Sequence, residues 1–311
     1  MNPTHIHTWD FVDSPLVNGR FLGGDGLRNP GAWVSWLAPT PFYSELFVNV
    51  QNSGGGTAAS FRGGGHHHGE EEAEELPFAY RHADNDRGVR NFTDLLIAPR
   101  YVAAFELTDA QTLLFGASAA FGPNNVGGED AGGTRTQLYG VDLTWKWKPA
   151  NQSGGFPFVS WQTEAMWRRT EVGAFDWDED GDGLLSDGEV EDLDTGAPAT
   201  LDAETLNDFG FYTQVVYGFR KGWTAGLRYD WLDRDSGRYE ARNLALAGEA
   251  LGRDPLRNSR WRLSPALTWY PSEFSKLRLQ YNLDDRRDIG TDHSVWLQFE
   301  FILGAHAAHK F

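Results

Sequence analysis

The chain has 311 residues, no cysteine and a formal net charge of −17, which excludes disulfides and thiolate-bound metals. Thirteen Trp, 20 Phe and 10 Tyr beside 36 Gly and 2 Met suit strands and turns better than helices. The charge is local: Glu70, Glu71, Glu72, Glu74, Glu75 and the 11 carboxylates from Glu171 to Asp194 account for 16 of the 44 acids, in windows without Lys or Arg, and the other 28 face 27 bases. Such a balance argues against a nucleic-acid partner.

No run of 18 or more apolar residues occurs, so no transmembrane helix is predicted. The opening "MNPTHIHTWDFVDSPLV" has neither the basic region nor the apolar core of a signal peptide. No composition break marks a boundary, and residues 1–311 are expected to form a single β domain.

In chain order, eleven strands are predicted near residues 31–38, 43–50, 98–107, 111–122, 134–148, 156–171, 209–220, 222–233, 258–270, 274–284 and 292–303. Their period is two. In "GVDLTWKWK", Val141, Leu143, Trp145 and Trp147 alternate with Asp142, Thr144, Lys146 and Lys148. In "FVSWQTEAMWRR", Trp161 and Trp167 share a face opposite Glu164 and Arg168, and in "WTAGLRYDW", Trp223, Leu227 and Trp231 oppose Arg228 and Asp230. "WRLSPALTW", "LRLQYN" and "VWLQFEF" repeat the scheme. Runs of about 9 to 13 residues with aromatics at their ends are longer than ordinary strands and fit lipid-facing strands backed by a polar lumen. The expected fold is all-β, a transmembrane antiparallel up-and-down barrel of about 12 strands when complete. The rival fold is a soluble β-sandwich.

Connections are expected to take turns, short then long, as periplasmic turns and extracellular loops do. Eleven strands is an odd number, whereas single-chain bacterial barrels have even numbers. Either the chain is a fragment lacking upstream strands and a signal peptide, or residues 1–22, with "FVDSPLVNGRFL", supply the twelfth strand.

Two long external loops carry candidate metal ligands. In 51–97, "GGGHHHGEEEAEELPF" places His66, His67 and His68 beside carboxylates, a donor set for zinc capture, or simply a hydrophilic loop. In 174–208, "DEDGDGLLSDGE" fills every required place of a calcium loop: Asp178, Asp180, Asp182, the turn glycine Gly183, Leu184 by its carbonyl, Ser186 through water, and Glu189. The bland alternative is a solvated acidic loop. Without flanking helices the expected affinity is weak, on the order of 10⁻⁴ to 10⁻³ M, with a structural role. His306 and His309 near the end are a weaker pair.

The inward-facing charges Arg100, Glu106, Asp142, Lys146, Glu164, Arg168, Arg228, Asp230, Arg262, Arg278 and Glu300 could line an aqueous path or pair across it and close it. No nucleophile elbow, P-loop or H-E-x-x-H is present, and "DHSVW" is no catalytic site, so no enzymatic activity is expected.

The runs "HTWDFVDSPLVNGRFLGGDGLRNPGAWVSWLAPTPFYSELFVNVQNS", "FGPNNVGGEDAGGTRTQLYGVDLTWKWKP" and "GFPFVSWQTEAMWRR", with the ending "HSVWLQFEFILGAHAAHKF", resemble a group of proteobacterial outer-membrane proteins labelled zinc-regulated TonB-dependent receptor or porin-like protein. The resemblance implies a Gram-negative outer-membrane barrel embedded in the lipid bilayer, with passage of small solutes. A TonB-dependent receptor needs a plug and about 22 strands, which this length does not hold. The expected function is a small-solute channel with a calcium-ordered external loop; the alternatives are a zinc-uptake receptor and a non-conducting surface-binding barrel.

Overall fold

The computed structural model describes residues 9–24, 26–54, 57–62, 78–82, 89–127, 133–178, 180–238, 243–253, 255–272 and 274–302. Eleven antiparallel strands form one sheet, each pairing with the next in chain order among the long strands. They are β1 (Gly31–Leu37), β2 (Tyr43–Asn52), β3 (Leu95–Thr108), β4 (Gln111–Pro123), β5 (Arg135–Trp147), β6 (Phe158–Val172), β11 (Glu204–Arg220), β12 (Trp223–Leu232), β15 (Arg260–Ser272), β16 (Ser275–Arg286) and β17 (Gly290–Phe301). All eleven predicted strands are found, several reaching further into the loops, as β11 does from Glu204.

The two faces invert the pattern of a soluble protein. Arg228, Asp230, Ser264, Thr268, Arg278, Gln280, Asn282 and Asp284 are buried, while Leu227, Leu267, Leu279 and Tyr281, one residue away in each strand, are exposed. An apolar outer face is stable only against hydrocarbon, so this sheet is the wall of a transmembrane antiparallel up-and-down barrel. Aromatic rungs mark its two rims. Trp223 pairs with Trp269, stacked at 5.8 Å, and Trp231 pairs with Trp261 at the other end of the same ladder. Eight residues at a rise of about 3.3 Å separate the rungs by about 26 Å along the strand, the scale of a lipid-facing band.

β1 and β17 are the edges. Every residue of β1 is exposed, and Val295 and Leu297 of β17 are 71% and 72% exposed. In this all-antiparallel order the first and eleventh strands run the same way.

Two expectations are corrected. Residues 11–22 are not a wall strand: helix α1 (Leu16–Leu22) buries Leu16, Val17, Phe21 and Leu22 against the polar side of the sheet. Short and long connections also do not alternate strictly, because β16 and β17 are joined tightly through residues 287–289, with positive φ at Asp288 and at Gly290, the first residue of β17.

The outer loops pack together. Short strands β7 (Phe175–Asp176), β8 (Val190–Asp192), β9 (Ala197–Pro198), β10 (Thr200–Leu201), β13 (Leu244–Leu246) and β14 (Glu249–Ala250) pair within their loops, and β8 with β13 joins one loop to the other. Phe175, Trp177, Val190, Ala199, Leu201 and Leu244 form a separate core with Tyr80 and Val126. Arg81, fully buried, knits it by donating to the carbonyls of Ala79, Gly173 and Asp202 and pairing with Glu204.

Leu227, midway between Trp223 and Trp231 and 51% exposed, discriminates the membrane reading from the sandwich. Leu227→Arg is expected to lower stability in bilayers by about 2–4 kcal/mol at the midplane, read by urea unfolding in vesicles. An exposed site on a soluble sandwich would tolerate it within about 0.5 kcal/mol.

Candidate functional site

The polar face encloses residues 9–22, and the wall is shaped to receive them. At Gly226 an added Cβ would lie 3.1 Å from the Phe11 ring, and at Gly210 it would lie 2.9 Å from Val17 Cγ2. Side chains are absent where the segment approaches most closely.

Asp13 is the centre of the attachment. Its Oδ1 accepts from Arg228 Nη2 at 2.7 Å and Gln280 Nε2 at 2.8 Å, and its Oδ2 accepts from Arg262 Nη1 at 2.5 Å and Asn282 Nδ2 at 3.4 Å. Arg228 also donates to the Asp13 carbonyl and, through Nε, to Asp230 at 2.7 Å, whose other oxygen accepts the Leu16 N–H. Arg262 divides its charge between Asp13 and Asp284, which Arg260 also grips. Arg228 is 1% exposed, and a guanidinium so placed is stable only when its donors and charge are met.

Other contacts fix the rest of the segment. Arg278 donates to the Trp9 carbonyl at 2.6 Å and to Thr268 and Gln298. Arg168 forms a two-pronged pair with Asp208, donates to Ser60 and lies over the Phe21 ring at 4.7 Å. At the far end of α1, Arg20 donates to the carbonyls of Asp233, Leu256 and Asn258, tying the lumenal segment to an outer loop.

Arg100 pairs with Asp142, opposite which Glu164 is buried on β6, and Glu300 pairs with Lys276 at 2.9 Å. Glu106 and Lys146 are exposed. Of the two roles open to these charges, the described contacts are mostly pairings. Sequence reading missed Asp13, Arg20, Asp208, Gln280, Asn282 and Asp284. Asp208, Gln280, Asn282 and Asp284 lie on the polar register of their strands and were legible; Asp13 and Arg20 were obscured by reading their segment as a strand.

In the acidic loop, one carboxylate oxygen each from Asp178, Asp180 and Asp182 lie within 4.8 Å of one another. Gly181 and Gly183 take positive φ of 73°, the turn the motif requires. Oxygen donors at this spacing fit a hard cation such as calcium. Glu189 instead accepts from the Ser186 N–H at 2.8 Å, and Leu184 is exposed. β7 and β8 flank the loop, and Trp177 and Val190, next to its ends, belong to the outer core. His66, His67, His68, His306 and His309 lie outside the described residues.

Burial pushes the Asp13 carboxyl up, but Arg228, Gln280 and Arg262 together hold it below the ordinary aspartate value of 3.8. A depressed value in the docked state means that its contribution is complete above 3.8 and disappears as pH falls through the lower docked value. A reporter on Ser14→Cys, in a chain with no other cysteine, is therefore expected to stay shielded from about pH 5 to 8 and to become accessible only in stronger acid. Release near pH 6 would contradict the assigned pairing.

No family model matches the chain. It is 27% identical over 328 aligned residues to an uncharacterized protein of Aquifex aeolicus (strain VF5), an alignment covering 100% of this chain and 57% of that relative, so the chain spans little more than half the relative's length. The solved structures it resembles include a Pseudomonas aeruginosa FadL homologue, at 12% identity over 83% of this chain and 60% of that one with a TM-score of 0.31. They also include a deltaS2S3 mutant of the monoaromatic hydrocarbon channel TodX, at 13% identity over 83% and 68% with a TM-score of 0.27.

Proposed function

We propose that this chain is the wall of an outer-membrane channel for small solutes, with a lumen held shut at rest by its own residues 9–22. The observation that carries the reading is the Asp13 network inside a sheet with an apolar exterior. A wall lined by charges of both signs lowers the barrier to polar solutes once space opens, and a segment docked through ion pairs and hydrogen bonds can leave without breaking the wall's own ladders.

The test is conductance in planar bilayers. Wild-type protein is expected to be nearly silent, and a variant with Asp13→Ala and Arg20→Gln, which removes the segment's own charged side-chain contacts at Asp13 and Arg20, is expected to conduct at least about tenfold more. If the doubly substituted protein, verified as folded by heat-modifiable migration, stays as silent as wild type, the reading fails in favour of a non-conducting surface-binding barrel, whose lumen would be filled by the same pairings.

We also propose that calcium orders the outer loop through Asp178, Asp180, Asp182, the Leu184 carbonyl, Ser186 and Glu189, with Glu189 exchanging its Ser186 contact for the ion. The converging aspartates and the anchoring of both loop ends support it. Trp177 adjoins the first ligand, so bound terbium is expected to luminesce on indole excitation and to be displaced by calcium with a Kd on the order of 10⁻⁴ to 10⁻³ M. Asp180→Asn with Asp182→Asn should abolish the signal, and an unchanged signal would refute the site. A zinc role for His66, His67 and His68 rests on the sequence pattern alone.

A further inference from the structure

Among the described residues, three guanidiniums, Arg228, Arg260 and Arg262, meet two wall carboxylates at this point of the lumen, Asp230 and Asp284, and Arg286 approaches Asp284 at 3.8 Å from outside the cluster. The third carboxylate is Asp13, and it belongs to the docked segment rather than to the wall. When the segment leaves, Arg228, Arg262, Gln280 and Asn282 remain on neighbouring strands with four donors converging on the space of one carboxylate. Gln280 and Asn282 are 0% and 3% exposed, so these are built donors rather than surface groups that happen to reach inward.

An apolar recess adjoins the cradle. Phe11, 2% exposed, packs with Val216, Ala266 and Phe158 and lies under Arg228, whose guanidinium carbon is 4.8 Å from the ring centroid. Gly226 provides the floor, where a Cβ would come within 3.1 Å of the ring. The segment thus presents a ring and a carboxylate, two residues apart, to a recess and a cradle that both remain when it departs.

We propose that this part of the lumen is a binding site for small organic acids that carry an apolar ring, and that Phe11 and Asp13 occupy it as a tethered competitor. The proposal rests on the channel reading and deepens it by naming the solute class and the group that solute displaces. Carboxylate recognition by two arginines and two amides satisfies both oxygens, while the recess takes the ring. A solute entering this site must first compete with Asp13, so its apparent affinity is reduced by the fraction of time the segment is docked.

Benzoate binding to the refolded full chain, followed by titration calorimetry, tests the proposal, with benzyl alcohol and acetate as probes lacking the charge and the ring. Asp13→Ala is expected to bind benzoate at least about tenfold more tightly than wild type, because the competing carboxylate is removed from the cradle. Arg262→Gln in that background should return the affinity to the wild-type level or weaker, and both control probes should bind at least about tenfold more weakly than benzoate. If Asp13→Ala does not fold, Asp13→Asn removes the charge with almost no change of shape and serves instead. Benzoate binding that is unchanged by loss of Asp13, insensitive to Arg262→Gln, or absent from the folded variant overturns the proposal. The readout is binding, so a protein that conducts yet ignores benzoate refutes this site and leaves the channel standing, whereas one that binds benzoate but never conducts does the reverse.

Discussion

A guanidinium buried behind a membrane wall cannot stay unpaired, and most of the interior is organised by that requirement. Removing one partner of a buried pair costs on the order of 3–5 kcal/mol, because the other charge keeps its desolvation penalty without compensation. Arg228 at 1% exposure and Arg278 at 0% therefore dictate what else enters the lumen. Asp230 satisfies part of Arg228; the remainder is met by a chain segment that brings Asp13 and its own carbonyl. Arg278 makes the same demand and is met by the Trp9 carbonyl. The segment is held by the wall's charge and by apolar packing together: Leu16, Val17, Phe21 and Leu22 join a buried cluster with wall residues such as Leu96, Leu138, Met166 and Leu232, and Phe11 and Val17 seat into positions cleared by Gly226 and Gly210.

The wall was legible because a β-strand enforces a period of two, and the two sides of this sheet face opposite solvents. Each residue type then reports its face directly, as Leu227 and Arg228 do. The lumenal segment was not legible by the same rule. "FVDSPLVNGRFL" is short and half apolar, and it offers no clear period over so few residues. Its helix signal lies in punctuation: Pro15 immediately before α1, and Gly23 after it with φ of 77° and its N–H closing back on Gly19. The outer core was hidden for a different reason. Its members, among them Tyr80, Trp177, Val190 and Leu244, come from loops far apart in the chain, and no local pattern announces that such residues meet.

That outer core changes what an ion could do in the acidic loop. In a free loop, binding orders only the residues that ligate. Here Trp177 and Val190 sit next to the two ends of the loop, and β8 also pairs with β9 and β13, so the loop is closed at its base before any ion arrives. Part of the ordering entropy has already been spent in folding, which favours binding relative to an unanchored loop of the same sequence.

Contacts also run continuously from the outer core to the lumen. Arg257 lies over the Phe78 ring at 3.4 Å and pairs with Asp235, which also holds Arg253. The same outer loop presents the carbonyls of Asp233, Leu256 and Asn258 to Arg20, and Arg20 lies in the helix that begins three residues beyond Asp13. Carbonyl acceptors make a weaker anchor for a guanidinium than carboxylates do, because they bring partial rather than full opposing charge. These two contacts of the segment are therefore unequal: Asp13 is fixed by full charges on the wall, whereas Arg20 is fixed by backbone carbonyls of an outer loop. Loss of the carbonyl contacts to Arg20 is therefore expected to loosen the outer end of α1 while the Asp13 end stays docked in its cradle of full charges.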